Sequence, residues 1–437
     1  MSKLSPLLPT LSFAAFVFWL LAVPMNGPLI AGIGIDDSMR WFLLPHVLAL
    51  VTIGTSFSRQ LFTRLAPIAT VLTPAFCLLL PLVPELGKLL LVLLSFSGAF
   101  VALGACKRLH CSPSPLVSAG GGLILANLAL FVVFRLPAAG LPLFALATLP
   151  LFLLLVPTGE QHPVPVDNSL KLSHYLPFIL IFHVVSGLMY SVIYPAYQQL
   201  DVPGGVELPF YMVAVIAAVF LGRINREIPL ILGVVLGMGA FIVLQWEHAA
   251  AVTLSLFIMQ AGQGFIDLFL LAFLLRFSDP LRAFGIGLAT LCLGIYGGQI
   301  LGDLLSGSAG TVAMFGHLFL NLAVLSLYLL HRRHPTAETE IPPDRPTAID
   351  PLEAAPNSTD EIYIPDHLRL LLSERELLVL TQSLKGTTYK EIASELDIAE
   401  STVKTYMKRI CDKCGVTGKR NLLQQLTQPG NPPSASG

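Results

Sequence analysis

The sequence predicts an all-α chain in two unlike parts. One is a polytopic membrane helix bundle of six plus six spans; the other, beyond an acidic linker, is a small four-helix domain. Three observations predict this. Of the 437 residues 54% are apolar and only 12% charged, with a mean hydropathy of +0.74, whereas a soluble globular chain carries about 25% charge. Apolar runs of bilayer length recur through the first 333 residues, and residues 367–428 switch to short amphipathic segments with capping and turn residues between them.

A bilayer core takes about 20 mainly apolar residues per helix. Such runs lie near 7–25, 41–57, 64–83, 86–106, 115–134 and 137–156, then near 174–194, 206–222, 229–246, 249–275, 280–303 and 310–330. They fall into two halves, 1–156 and 174–333, around the polar break PTGEQHPVPVDNSLKL (157–172). Lys3 before the first run imitates a signal peptide, but no small-residue cleavage site is obvious and many more runs follow, so the first run is read as a span. The run at 249–275 is long enough to tilt.

Charge divides the chain into the same blocks. Residues 1–333 hold 15 Lys/Arg against 12 Asp/Glu (+3), residues 334–366 hold Arg345 against 8 acids (−7), and residues 367–428 hold 10 basic against 7 acidic (+3). With the N-terminus inside, the inner connections carry twelve basic residues, among them Lys3, Arg59, Arg108, Arg226 and Arg333, and the outer ones carry three, Arg40, Lys88 and Arg135. That bias satisfies the positive-inside rule, and an even span count returns the C-terminus to the cytoplasm. The six cysteines are scattered, mostly within apolar runs, which predicts no disulfide framework.

Polar residues in lipid are costly and face a bundle interior or a cavity. In the tenth span Gln260, Gln263 and Asp267 stand at i, i+3 and i+7, one helical face. Tyr296, Gln299 and Asp303 repeat that spacing in the eleventh, and the seventh offers His183, Tyr190 and Tyr194. Asp303 is expected at the outer boundary; His46 and His317 stand alone and are expected in the core or at the lipid interface.

Six plus six spans around a middle loop resemble the major facilitator superfamily over residues 1–333. The stretch GTSFSRQLFTR (54–64) matches that family's loop motif at Gly54 and Arg59 but has Ser58 in place of Asp and Leu61 in place of Gly; LGRINRE (221–227) matches in part. In that family the first, fourth, seventh and tenth spans line a central cavity. The resemblance therefore implies a ligand pocket of His183, Tyr190, Gln260, Gln263 and Asp267. The other reading of each is an interhelical hydrogen-bond partner.

Residues 334–366 hold seven prolines and the −7 charge. Such composition sustains no core and reads as a disordered tether with a reach of roughly 30 Å; the tail 429–437 reads as disordered too.

Ser373 and Glu376 have the spacing of a capping box ahead of a helix burying Leu372, Leu377, Leu380 and Leu384 and ended by Gly386. A second helix, about 388–396, buries Ile392, Ala393 and Leu396. After the turn DIA, a third over about 400–414 turns Val403, Met407, Ile410 and Cys414 inward, and a fourth, about 420–428, carries Leu422, Leu423 and Leu426.

This pattern closely resembles the LuxR-type helix-turn-helix. Leu372, Ser373, Arg375, Glu376, Val379 and Leu380 match its first element. Gly386, Glu391, Ile392 and Ala393 match its second, and Thr402, Val403, Lys404, Ile410, Lys413, Gly415 and Val416 its third. Departures are Ala399, Tyr406, Cys414 and Lys419. The resemblance implies a third helix that enters the major groove, with Lys390, Ser401, Thr402, Lys404, Thr405, Lys408 and Arg409 at the DNA. Which of these touch phosphate and which read bases stays open. It also implies dimerisation through the last helix, where Leu423 and Leu426 are contacts or core. The CDKC stretch (411–414) has no second Cys/His pair nearby, so it is read as packing rather than zinc.

Together these readings predict a membrane-bound one-component transcription regulator of the bacterial cytoplasmic (inner) membrane, multi-pass, with both termini cytoplasmic. Its partners would be double-stranded DNA, the lipid bilayer and a small-molecule ligand, as a homodimer on DNA and with no cofactor or metal. The alternative is a secondary transporter with a fused regulatory DNA-binding domain, against which Ser58 speaks. No nucleophile triad, metal cluster or phosphate-binding glycine loop points to an enzyme.

Overall fold

The computed structural model describes residues 6–25, 27–35, 37–136, 140–157, 171–189, 191, 199–200, 202–246, 248–305, 309–333, 372, 374–384, 387–396, 400–414, 416 and 422. Tyr190, Tyr194, the 334–366 linker, Ser373, Gly386, Leu423, Leu426 and the 429–437 tail lie outside them. The chain divides into two compact units, residues 1–340 and 341–437.

Among the described residues the first unit is an all-helical bundle of twelve principal helices: α1 (Leu8–Ala22), α2 (Ser38–Ser56), α3 (Arg59–Leu79), α4 (Gly87–His110), α5 (Pro115–Val133), α6 (Leu141–Thr148), α7 (Leu172–Leu188), α8 (Leu208–Ile224), α9 (Ile228–Leu244), α10 (Ala249–Leu274), α11 (Pro280–Leu305) and α12 (Ala309–Arg333). Seven of the described stretches are long and apolar enough to cross a membrane, and five shorter apolar ones complete the set. Each of the twelve expected runs thus holds one helix. Leu48, Leu72, Leu89, Val213, Phe220 and Val235 are exposed on the outside of the bundle, as a lipid-facing surface requires.

Prolines shape these helices differently. Pro67 and Pro74 sit inside a continuous α3, where Thr70 and Thr73 donate to the carbonyls of Ala66 and Ala69 at 2.8 and 2.9 Å. The sixth run instead changes from α6 to a 3-10 helix over Leu149–Leu155, with Pro150 in its first turn, a residue that can neither donate a backbone bond nor clear the preceding turn. That helix end exposes carbonyls, and Arg108 of α4 takes them up. Its guanidinium donates to the carbonyls of Leu153, Leu154 (2.9 Å) and Val156 (2.7 Å) and to Ser12 of α1 (3.0 Å). A basic residue read only as a topology marker is therefore a helix cap.

The two halves meet along helix pairs. α2 runs antiparallel to α11. At one end the Arg40 guanidinium pairs with the Asp303 carboxylate, and Gln299 donates to the Met39 sulfur at 2.6 Å. At the other end Gly54 and Gly285 pack so closely that a Cβ on Gly285 would lie 2.7 Å from the Gly54 Cα. α5 and α8 form the second seam. A Cβ on Gly120 would meet Val219 at 2.6 Å, and beyond the far end of α5 Arg135 donates to the Gly204 carbonyl at 2.6 Å. Asp303, expected at a boundary, is thus an ion-pair partner across the halves.

Ser58, which stands where the loop motif has Asp, is the N-cap of α3 and accepts from the Leu61 amide at 3.2 Å. Ser and Asp cap equally well, so this position keeps its cap and lacks the charge.

Within the second half, α11 approaches α7 through Gly187 and Gly298: a Cβ on Gly298 would lie 2.1 Å from the Val184 carbonyl oxygen. No Cβ fits there without separating the helices. Gly298→Leu is expected to lower stability by at least about 1–3 kcal/mol, read as a lower unfolding temperature in detergent. Gly239→Ala, whose Cβ would meet nothing within 4 Å, should leave it unchanged or raised.

Candidate functional site

Between the halves lies a cavity of about 250 Å³, lined from α1, α2, α4, α5, α7, α8, α10 and α11. Four spans were expected to line it; eight do. It contains four of the five residues proposed for it, His183 of α7 and Gln260, Gln263 and Asp267 of α10; Tyr190 lies outside the described residues. Its walls are largely apolar and include Phe13, Phe16 and Phe42.

The polar lining is internally bonded. Tyr211 of α8 donates its hydroxyl to the Asp267 carboxylate at 2.8 Å, and Gln263 donates to the Ser186 hydroxyl. His183 places Nδ1 2.7 Å from the Ile179 carbonyl, and His46 places Nδ1 2.8 Å from the Ser95 carbonyl. A carbonyl only accepts, so in each neutral ring Nδ1 carries the hydrogen and Nε2 is left as an acceptor. The His183 Nε2 is fully buried and has no hydrogen-bond partner among the described residues. Asn127 of α5 likewise donates its amide to the Leu123 carbonyl at 2.9 Å.

Sequence reasoning missed His46, Asn127, Glu207 and Tyr211, all of which line the cavity. His46 and Asn127 stand on separate helices, and Glu207 and Tyr211 share one turn at the start of α8; only packing brings these three places together. His46 is in the core, as expected, stacked on Phe42 with ring centroids 4.7 Å apart, and it faces the cavity as well. His317 instead bonds within α12, Nδ1 to the Ala313 carbonyl at 2.9 Å.

The second unit contains α13 (Glu374–Leu384), α14 (Tyr389–Glu395) and α15 (Glu400–Lys413). Val379, Leu380, Ile392, Val403, Met407, Ile410 and Leu422 form its core, with Leu372 and Cys411 beside them. Thr388 starts α14 through a complete capping box. Its hydroxyl accepts from the Glu391 amide at 3.4 Å, and its own amide donates to the Glu391 carboxylate at 2.8 Å. The hydrogen bonds from the Thr388 backbone and hydroxyl hold the Glu391 carboxyl below its usual range. Thr387 bonds back to the Gln382 carbonyl, and Gln382 donates to Glu395 at 2.6 Å, which fixes the angle between α13 and α14.

α15 buries Val403, Met407 and Ile410 and leaves Ser401, Lys404, Thr405, Lys408 and Arg409 exposed, with Thr402 half-buried; Lys390 is exposed on α14. The basic side chains expected at DNA therefore share the outward side of the helix. Lys404 pairs with Glu400 one turn back at 3.1 Å, and the Thr405 hydroxyl is committed to the Ser401 carbonyl at 2.9 Å. Lys408 and Arg409 make no ion pair with another described residue.

Two of the motif matches serve the fold rather than the DNA. Glu376 is buried, and Lys413 donates to its carboxylate at 2.7 Å, which ties α13 to α15. Cys414 packs against the same core; burial, and then neighbouring Cys411, push its thiol up.

Comparisons with known proteins place both units. Residues 370–425 match the luxR family of bacterial regulatory proteins. The spore germination protein GerE of Bacillus subtilis (strain 168) is 38% identical over 60 residues, 14% of this chain and 81% of GerE. The glycerol metabolism activator of Pseudomonas putida is 35% identical over 75 residues, 17% of this chain, and the chain spans only 33% of that relative. The membrane unit is similar in fold to FucP, a major facilitator superfamily transporter in the outward conformation, with a TM-score of 0.55 and 10% identity over 74% of this chain and 98% of that one. It is similar also to the proton:xylose symporter XylE, with a TM-score of 0.54 and 12% identity over 76% and 94%. A bacterial homologue of the iron transporter ferroportin gives a TM-score of 0.54 and 14% identity over 76% and 98%. At these identities the likeness is one of fold alone.

The molecule is thus a transporter-like membrane bundle fused to a DNA-binding regulator domain. Through that domain the chain belongs to the LuxR family of bacterial regulatory proteins.

Lys408 and Lys413 of α15 separate the roles. Lys408→Ala is expected to weaken DNA binding and flatten its dependence on log salt by about 0.9 for a lost phosphate contact, with the unfolding temperature unchanged. Lys413→Met takes the cation away from the buried Glu376 carboxylate, and because Lys413 is itself partly exposed the cost should be about 1–3 kcal/mol in stability, with little change in the salt slope.

Proposed function

We propose that this chain is a membrane-bound one-component transcription regulator. In this reading the bundle of α1–α12 binds a small molecule in its central cavity and controls sequence-specific DNA binding by α15. The observation that carries it is the coexistence, in one chain, of a LuxR-type domain with its basic helix face exposed and a bundle cavity whose polar lining converges from both halves. A ligand changes the output only if it binds one bundle state better than another. The two seams offer such states, because contacts at either end of α2–α11 and α5–α8 can be made or broken. The inner membrane, cytoplasmic termini, a homodimer on DNA formed through Leu423 and Leu426, and base or phosphate contacts by Lys390, Ser401, Thr402, Lys404, Thr405, Lys408 and Arg409 complete the reading.

Transport with a fused regulator is the less favoured reading, since the loop at 54–64 retains the cap at Ser58 but not the charge. Genome-wide DNA occupancy by the intact protein tests the proposal. Discrete peaks are expected, and a Lys404→Ala/Lys408→Ala double variant should lose them while still inserting in the membrane. An intact protein without peaks under several growth conditions would count against regulation.

A further inference from the structure

The cavity holds a buried acceptor that no described residue meets. Several donors of its polar side chains are committed to the protein: Nδ1 of His46 and His183 to backbone carbonyls, one Asn127 amide hydrogen to Leu123, one Gln263 amide hydrogen to Ser186, and the Tyr211 hydroxyl to Asp267. In both imidazoles Nε2 is thereby left as an acceptor, and the Asp267 carboxylate keeps lone pairs beyond the one that Tyr211 uses. Gln260 and the second amide hydrogens of Asn127 and Gln263 add neutral groups that serve a ligand of either sign. His183 Nε2 is buried without a partner among the described residues, and an unmet buried acceptor costs about 1–3 kcal/mol, so the site is incomplete without a donor.

Charge points the same way. Among the described residues no lysine or arginine lines the cavity, whereas Asp267 does. A carboxylate or phosphate ligand would meet that like charge with no described cation to offset it. An ammonium group brings donors and the opposite charge, and the faces of Phe13, Phe16 and Phe42 suit both a cation and an apolar body.

Resting on the sensor reading above, we propose that the cavity takes a compact, apolar molecule bearing a protonated amine, with the ammonium group placed among Asp267, His183 and His46. The cavity of about 250 Å³ lies near the small end of ligand sites, which limits the body to about one ring and a short chain.

Three near-isosteric probes test this on the full-length protein in lipid nanodiscs by titration calorimetry: phenylbutylamine, phenylbutanol and phenylbutyrate. The amine is expected to bind at least tenfold more tightly than the alcohol, and the carboxylate most weakly. Asp267→Asn, which keeps a partner for Tyr211, should erase most of the amine's advantage. Gln260→Lys, which puts a cation into the cavity, should turn the preference toward phenylbutyrate. Thermal melting of each variant confirms that it is folded. Equal binding of the three probes, binding of none, or an amine preference that survives both substitutions overturns the ligand class. DNA occupancy measured with and without saturating amine separates the two proposals. Selective binding with occupancy unmoved keeps the ligand class and sinks the sensor reading.

Discussion

A polar group inside a bilayer has no water to turn to, so it must find its partner within the protein. That requirement organises the membrane unit. Asp267 finds Tyr211, Gln263 finds Ser186, His46 and His183 find carbonyls on α4 and α7, and Arg108 closes the end of the 3-10 helix after α6. Most of these groups lie between the two six-helix halves, because the lipid-facing surface is left to Leu, Val and Phe. The cavity is therefore a consequence of where polar side chains are tolerated. The helices around it come close enough only where glycine faces backbone, as at Gly54 against Gly285 and Gly187 against Gly298.

The DNA-binding unit follows the opposite rule. Its solvent is water, its outer faces are charged, and its small core needs reinforcement. The Thr388–Glu391 box, the Gln382–Glu395 bond and the Lys413–Glu376 pair hold three short helices at fixed angles. With the inward face of α15 locked by Val403, Met407 and Ile410, the side chains of Lys404, Lys408 and Arg409 are presented outward together. The geometry that reads DNA is set by residues that never touch it.

Much of this was legible in the sequence, and what was not has a physical reason. Twelve apolar runs announce twelve helices because bilayer thickness fixes their length. Gln260, Gln263 and Asp267 announce one face because they repeat along a single helix. His46 and Asn127 carry no such mark, since each joins the cavity only through packing of separate helices, and Glu207 and Tyr211 make a single turn of α8 too short to stand out. Glu376 and Lys413 were visible as motif matches, yet their pairing spans 37 residues and emerges only when α13 meets α15. Arg40 and Asp303 looked like boundary charges, and their pairing across the two halves shows only when α2 meets α11. The 3-10 stretch at Leu149–Leu155 was foreshadowed by Pro150, but its Arg108 cap was not, because that residue belongs to another helix.

In the regulator proposed above, the state of the bundle sets the state of the DNA-binding domain. The most direct measurement locks one end of the α2–α11 seam, with Arg40→Cys and Asp303→Cys joined by a short bifunctional maleimide in native membranes, and reads DNA occupancy by the full-length protein. Unlinked double variant and reagent-treated unaltered protein serve as references. Linking is expected to change occupancy several-fold relative to both and to leave it indifferent to any compound that moves the unlinked protein. Occupancy that is the same whether or not the halves are joined would contradict it.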